Sequence, residues 1–251
     1  MKKAIMAAAV ALCLVAAGSA FAAGETKPAQ TDAVKIIMPS SRAMVTGLSK
    51  SVDPKELASL VKDTSTSSYG FTTGISKEKG SYKLGVLMAD LEATIKAGDK
   101  EKVSKAVRSL TDGLSALGAP LPLEIAVINM GVAVNAGVDL QAIDKASIPV
   151  VKPFIEDFIK QEGEMAYLRL GEWVEATRLA TSQGNTEVAI EFLKDVNLAD
   201  GFLAELQNKG LPHGVISSLN DLSEMGKKKD IGEKDVKAAL KAVNNISEIM
   251  G

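Results

Sequence analysis

Apolar positions in this chain recur at helical spacing almost from end to end, and no stretch of useful length alternates with the period of two that marks a half-buried strand. Leu84, Leu87, Met88, Leu91 and Ile95 form one stripe, stopped by Gly98. Asp99 caps the next helix, whose Val103, Val107, Leu110, Leu114 and Leu117 make a second stripe. Ahead of both, Asp53-Pro54-Lys55-Glu56 supplies an N-cap, a first-position proline and an acid three residues past the cap, followed by Leu57, Leu60 and Val61. After the Gly118-Ala119-Pro120-Leu121-Pro122 break, residues 122–136 leave almost no polar face: Leu123, Ile125, Ala126, Val127, Ile128, Met130, Val132, Ala133 and Val134 cover it. A helix apolar all round is expected to be buried all round, so this one is expected at the centre. Asn129 and Asn135 within it would then need hydrogen-bond partners, because a buried unpaired amide costs about 1–3 kcal/mol. Helical patterns continue over 139–146, from Pro149 through Ile159, and over 164–181, 186–196, 199–208, 215–225 and 233–250. The expected fold class is all-α: a bundle or array of about eight helices, with residues 53–251 as a single helical domain.

Three segments fall outside that pattern. Residues 23–52 are punctuated by proline, glycine and polar residues and read as a linker with an apolar island at 34–38. Residues 64–80 are mostly Ser, Thr, Gly and Lys, a long loop in which Tyr69 and Phe71 are either plugged onto the core or offered to a partner. Residues 1–22 join Lys2 and Lys3 to an apolar run and an Ala20-Phe21-Ala22 site, the pattern of a signal peptide cleaved before Ala23. The run is shorter than the roughly 20 apolar residues of a membrane span, and Leu12 before Cys13 does not fit a lipoprotein signal. The expected location is therefore the periplasm, or beyond the cell, with no transmembrane segment in the mature chain.

Cleavage removes Cys13, the only cysteine, which excludes disulfides, thiolate metal sites and cysteine nucleophiles from the 229-residue product. It also removes Lys2 and Lys3, leaving 27 basic residues against 31 acidic, a net charge of −4. That balance gives no support to a nucleic-acid site, and Lys227-Lys228-Lys229 reads as a solvated helix end. With aromatics at only 4% of the chain, the core must be aliphatic.

One regularity goes beyond composition. Leu84-Gly85, Gly98-Asp99 and Glu101 recur 86 positions later as Leu170-Gly171, Gly184-Asn185 and Glu187, and the break at Pro122 recurs 90 positions on as Pro212. This suggests pseudo-repeats over 82–145 and 168–240 from an internal duplication of αα-hairpins.

Candidate chemistry is sparse. The single histidine, His213, rules out a multi-histidine metal site or haem attachment, so no metal or cofactor is expected. His213 with Ser217, Ser218 and Asp221 has the composition of a hydrolytic triad, but it sits in a helical first turn and no nucleophile elbow accompanies it. The densest polar cluster is 169–178. Leu170, Trp173, Thr177 and Ala180 share one face, with Arg169, Glu172, Glu175 and Arg178 on the flank. Trp173 beside Glu172 and Glu175, with Asn129, has the makings of a ligand-pocket wall; the plainer expectation is a core anchor flanked by solvated ion pairs.

The segments Leu84-Gly85-Val86-Leu87-Met88-Ala89-Asp90 and Gly171-Glu172-Trp173-Val174-Glu175-Ala176-Thr177-Arg178-Leu179-Ala180-Thr181 resemble signatures in uncharacterised exported all-helical envelope proteins of bacteria. The resemblance implies that these two helices are neighbours; it implies no activity. The functional expectation is an exported, non-enzymatic helical module that binds a protein partner or envelope component. A periplasmic helical carrier of a small apolar or mixed ligand is the alternative, and a hydrolase using His213 the third. The residues expected to bind are Trp173, Glu172, Glu175, Asn129, Tyr69 and Phe71, with none catalytic.

Overall fold

Two helices that carry charge along much of their length form the centre of the molecule. The computed structural model describes residues 40–61, 71, 74–195 and 198–251. The expected signal peptide, the 34–38 island and Tyr69 lie outside the described residues. These comprise α1 (Ser41–Leu48), α2 (Pro54–Leu60), α3 (Lys77–Ala97), α4 (Lys100–Ala116), α5 (Leu121–Asn135), α6 (Leu140–Ala146), α7 (Ile148–Gln161), α8 (Met165–Ser182), α9 (Thr186–Asp195), α10 (Ala199–Leu206), α11 (His213–Gly226) and α12 (Glu233–Met250). The described residues are thus all-helical, but with twelve helices rather than about eight. Four of the twelve span only seven or eight residues, too short to display a full apolar stripe. One of these, α1, lies in the stretch that reads as linker. Ser40 caps it, and it buries Met44, Val45 and Leu48.

The central pair is α3 and α8. Every residue from 80 to 95 is buried, and so is every residue from 166 to 181 except Arg169. Their backbones touch. A Cβ added at Gly85 would lie 2.0 Å from the carbonyl oxygen of Leu168, and one at Gly171 would lie 2.0 Å from that of Tyr82. The contact is reciprocal, and the paired positions differ by the same 86 residues that separate the two Leu-Gly pairs. Glycine is required here because only a missing side chain permits so close a crossing. The correspondence does not extend evenly outward, since α4 has 17 residues and α9 only 10.

Apolar clusters surround this pair. One gathers Trp173, Phe202, Leu219 and Val243 from α8, α10, α11 and α12. A second gathers Leu84, Leu110, Val127 and Ile155 from α3, α4, α5 and α7. The third seats α1 and α2 through Val45 and Leu57 against Ala93 and Leu179. Among the described residues no helix is long and apolar enough to cross a membrane.

The expectation that residues 122–136 form the central, fully covered helix is overturned. Helix α5 buries Leu123, Ala126, Val127, Met130, Ala133 and Val134 on one side. Its other side leaves Leu121 at 66%, Ile125 at 46%, Ile128 at 44% and Val132 at 59% exposure. Asn135 is exposed and accepts a hydrogen bond from the Ser104 hydroxyl at 2.9 Å, while Asn129 is half-buried. Neither amide is a buried group seeking a ligand.

Candidate functional site

Where α1, α3, α7 and α8 converge, four polar side chains meet with almost no access to solvent: Ser41, Glu92, Lys152 and Glu172. The Lys152 ammonium donates to the Ser41 hydroxyl at 2.6 Å, to Glu172 Oε1 at 2.8 Å and to Glu92 Oε1 at 3.3 Å. Ser41 Oγ also lies 2.7 Å from Glu92 Oε2 and 2.9 Å from Glu172 Oε1. Serine has one proton, so it can donate to only one of these carboxyls; the other close contact needs a proton on the carboxyl itself. Burial raises the pKa of Glu92, more than Lys152 lowers it, which favours the protonated form of that carboxyl. In that form Glu92 donates to Ser41 and Ser41 donates to Glu172, so that a single buried cation faces a single buried anion. Burial alone would depress Lys152, but the Glu172 and Glu92 carboxyls more than offset it and raise its pKa.

Beside this network a cavity of about 190 Å³ opens between α1, α7, α8 and α10. Trp173 and Phe202 form its aromatic wall, their rings 5.3 Å apart and tilted by 41°. Met44 and Met165 extend the apolar lining, and Glu156, Arg169 and Glu172 supply its charges. Glu172 is committed to Lys152 and Ser41. Glu156 and Arg169 are both half-buried, and among the described residues neither enters a hydrogen bond or a close ion pair. Burial raises the Glu156 pKa, with Lys152 and Arg169 pulling the other way.

Of the residues expected to bind, Trp173 and Glu172 meet at this cavity. Glu175 does not; it faces Arg178, which donates to both its oxygens, and Arg178 also donates to the Leu60 carbonyl at 3.0 Å. Both partners are buried, at 2% and 5% exposure, so the solvated flank expected for 169–178 is in fact an internal charge layer. Asn129 belongs to α5, outside the cavity lining. Phe71 is partly buried, packs against the second core beside Gly113, and has the Lys83 ammonium 5.9 Å above its ring. His213 is exposed at the start of α11, and the nearby Ser218 hydroxyl is bonded by Asn245 at 2.8 Å. Among the described residues no group of acids, histidines or cysteines could hold a metal ion.

Sequence reasoning missed Ser41, Glu92, Lys152 and Glu156. A signal existed for two of them. Glu92 lies four residues after Met88, and Lys152 lies four after Ile148 and three before Ile155, so each interrupts an apolar stripe.

The second candidate is the outer side of α5. Leu121, Ile125, Ile128 and Val132 are spaced i, i+4, i+7 and i+11, and they are the only exposed large hydrophobic side chains among the described residues. Compared with known proteins, the chain matches no family model, no curated protein and no solved structure.

Proposed function

We propose that the protein is an exported, non-enzymatic helical module that docks an amphipathic helix of a partner protein onto α5. The observation that carries this reading is the concentration of every large exposed hydrophobic of the described fold on one helical stripe. Scattered exposed apolar residues are ordinary; a contiguous row three turns long has a free-energy cost in water that contact with a partner removes. Its i, i+4, i+7, i+11 spacing is that of helix-in-groove recognition. The helix carries Glu124 and neither lysine nor arginine, which disfavours an anionic membrane surface. Four side chains at about half exposure present on the order of 300 Å², well short of the roughly 800 Å² per partner of a stable dimer. The fitting occupant is a short apolar helix face, bound transiently.

The test is a photo-crosslinking residue placed at Ile128 in the protein as exported by its own cells. The expected product is one defined adduct whose crosslinked peptide belongs to an amphipathic helix of another protein. Ile125→Glu should abolish it while changing stability by no more than about 0.5 kcal/mol, because that side chain is already solvated. Adducts between two copies, lipid adducts, or no adduct would each overturn the reading. Mass measurement of the same sample checks export, with a mature chain starting at Ala23 as the expected result.

A further inference from the structure

The cavity beside Trp173 is independent of the α5 stripe, and its charges pose a separate question. A guanidinium and a carboxyl stand in one pocket wall, on α8 and α7, feeling each other's charge but with no hydrogen bond or ion pair within 4 Å to each other or to any other described residue. Both groups therefore remain available to a ligand that carries the two complementary charges. The third charge, Glu172, is unavailable because Lys152 and Ser41 hold it. What remains is one positive and one negative group set beside an apolar surface of Trp173, Phe202, Met44 and Met165.

We infer that the cavity binds an α-amino acid with an apolar side chain, as the zwitterion. The Arg169 fork takes the carboxylate through two parallel N–H donors, a geometry matched to planar oxyanions. Glu156 takes the ammonium. The side chain lies against Met165 and Leu198, with Trp173 and Phe202 closing the pocket floor behind them, and its burial there contributes the apolar share of affinity. Size agrees: about 190 Å³ exceeds the roughly 150 Å³ of a cavity that accommodates benzene and falls below the 300 Å³ or more of a drug-sized site. A ligand with only one charge would leave either Arg169 or Glu156 desolvated and unpaired, so the site should discriminate strongly for the zwitterion.

The experiment is calorimetric titration of the full protein, with Trp173 fluorescence in parallel, against L-phenylalanine, L-leucine and L-methionine. Phenethylamine and 3-phenylpropionate, which each lack one charge of phenylalanine, serve as comparisons. Saturable binding of at least one amino acid is expected, with both analogues weaker by about tenfold or more. Arg169→Gln and Glu156→Gln should each weaken the amino acid by a similar factor, and Arg169→Gln should weaken 3-phenylpropionate while sparing phenethylamine. Both side chains are half-exposed and unpaired, so the variants should melt with the wild type. No binding of any of the three amino acids at millimolar concentration overturns the inference. So does equal binding of a singly charged analogue, or an unchanged affinity in Arg169→Gln.

Discussion

Gly85→Ala is expected to destabilise the protein by more than about 4 kcal/mol, beyond the range of ordinary core substitutions. The added Cβ would sit 2.0 Å from the Leu168 carbonyl oxygen and 2.9 Å from the Glu172 amide nitrogen. Both obstacles are main-chain atoms of buried residues, so no rotamer change relieves them and α3 must retreat from α8 by more than an ångström. That retreat would open gaps across both main apolar clusters at once, because the crossing lies between them. Gly171→Ala meets the Tyr82 carbonyl in the same way and should cost a similar amount. The two losses should not add, since helices already parted for one Cβ have room for the other. Gly47→Ala is the control: nothing lies within 4 Å of its Cβ, and it should be neutral or stabilise α1 by up to about 1 kcal/mol. Urea denaturation followed by circular dichroism decides it. A Gly85→Ala midpoint close to that of the wild type would mean that the two backbones do not touch.

The same crossing shows what could be read from the chain and what could not. Helix positions and the Gly98 stop follow from local rules, because capping and left-handed termination are properties of a few adjacent residues. The recurrence of Leu-Gly at 86 residues was visible too, and its physical content is the mutual approach of Gly85 and Gly171. Layering was not legible. By composition α5 is the helix to bury and α3 and α8 carry too many charges for a centre, yet the structure reverses this. Hydrophobicity reports the cost of exposing a helix but says nothing about which charges will find partners. Glu92 and Glu172 can be central only because Lys152 and Ser41 arrive from α7 and α1, and Glu175 only because Arg178 lies one turn away. Such partnerships are long-range facts, 51 residues apart for Ser41 and Glu92 and 131 for Ser41 and Glu172. The cavity was half legible for the same reason. Trp173 and Glu172 are neighbours in sequence, whereas Glu156 and Phe202 join them only through the fold.

Lys152→Met should therefore be nearly as damaging as the glycine substitutions, at about 3–5 kcal/mol, because it removes the one cation ion-paired to Glu172 and Glu92 among the described residues and leaves a buried charge uncompensated. Its companion, Glu92→Gln, should be tolerated, since an amide can donate to Ser41 as the protonated acid does and still accept from Lys152. The two variants differ further in pH dependence. Glu92 has a folded pKa above its unfolded value of 4.5, so between those values the native state binds the extra proton and stability falls as pH rises. Glu92→Gln abolishes that slope, so its stability relative to the wild type should improve as the pH rises from 4.5 through the raised folded pKa of Glu92. Lys152, with a pKa raised above 10.5, contributes its full stabilisation throughout that interval and loses it only in stronger alkali. For Lys152→Met, adding Glu172→Gln in the same chain should restore most of the loss, because the amide removes the orphaned charge. If Lys152→Met were as stable as the wild type at pH 7, or if Glu172→Gln failed to restore it, the ammonium would not be holding a buried carboxylate.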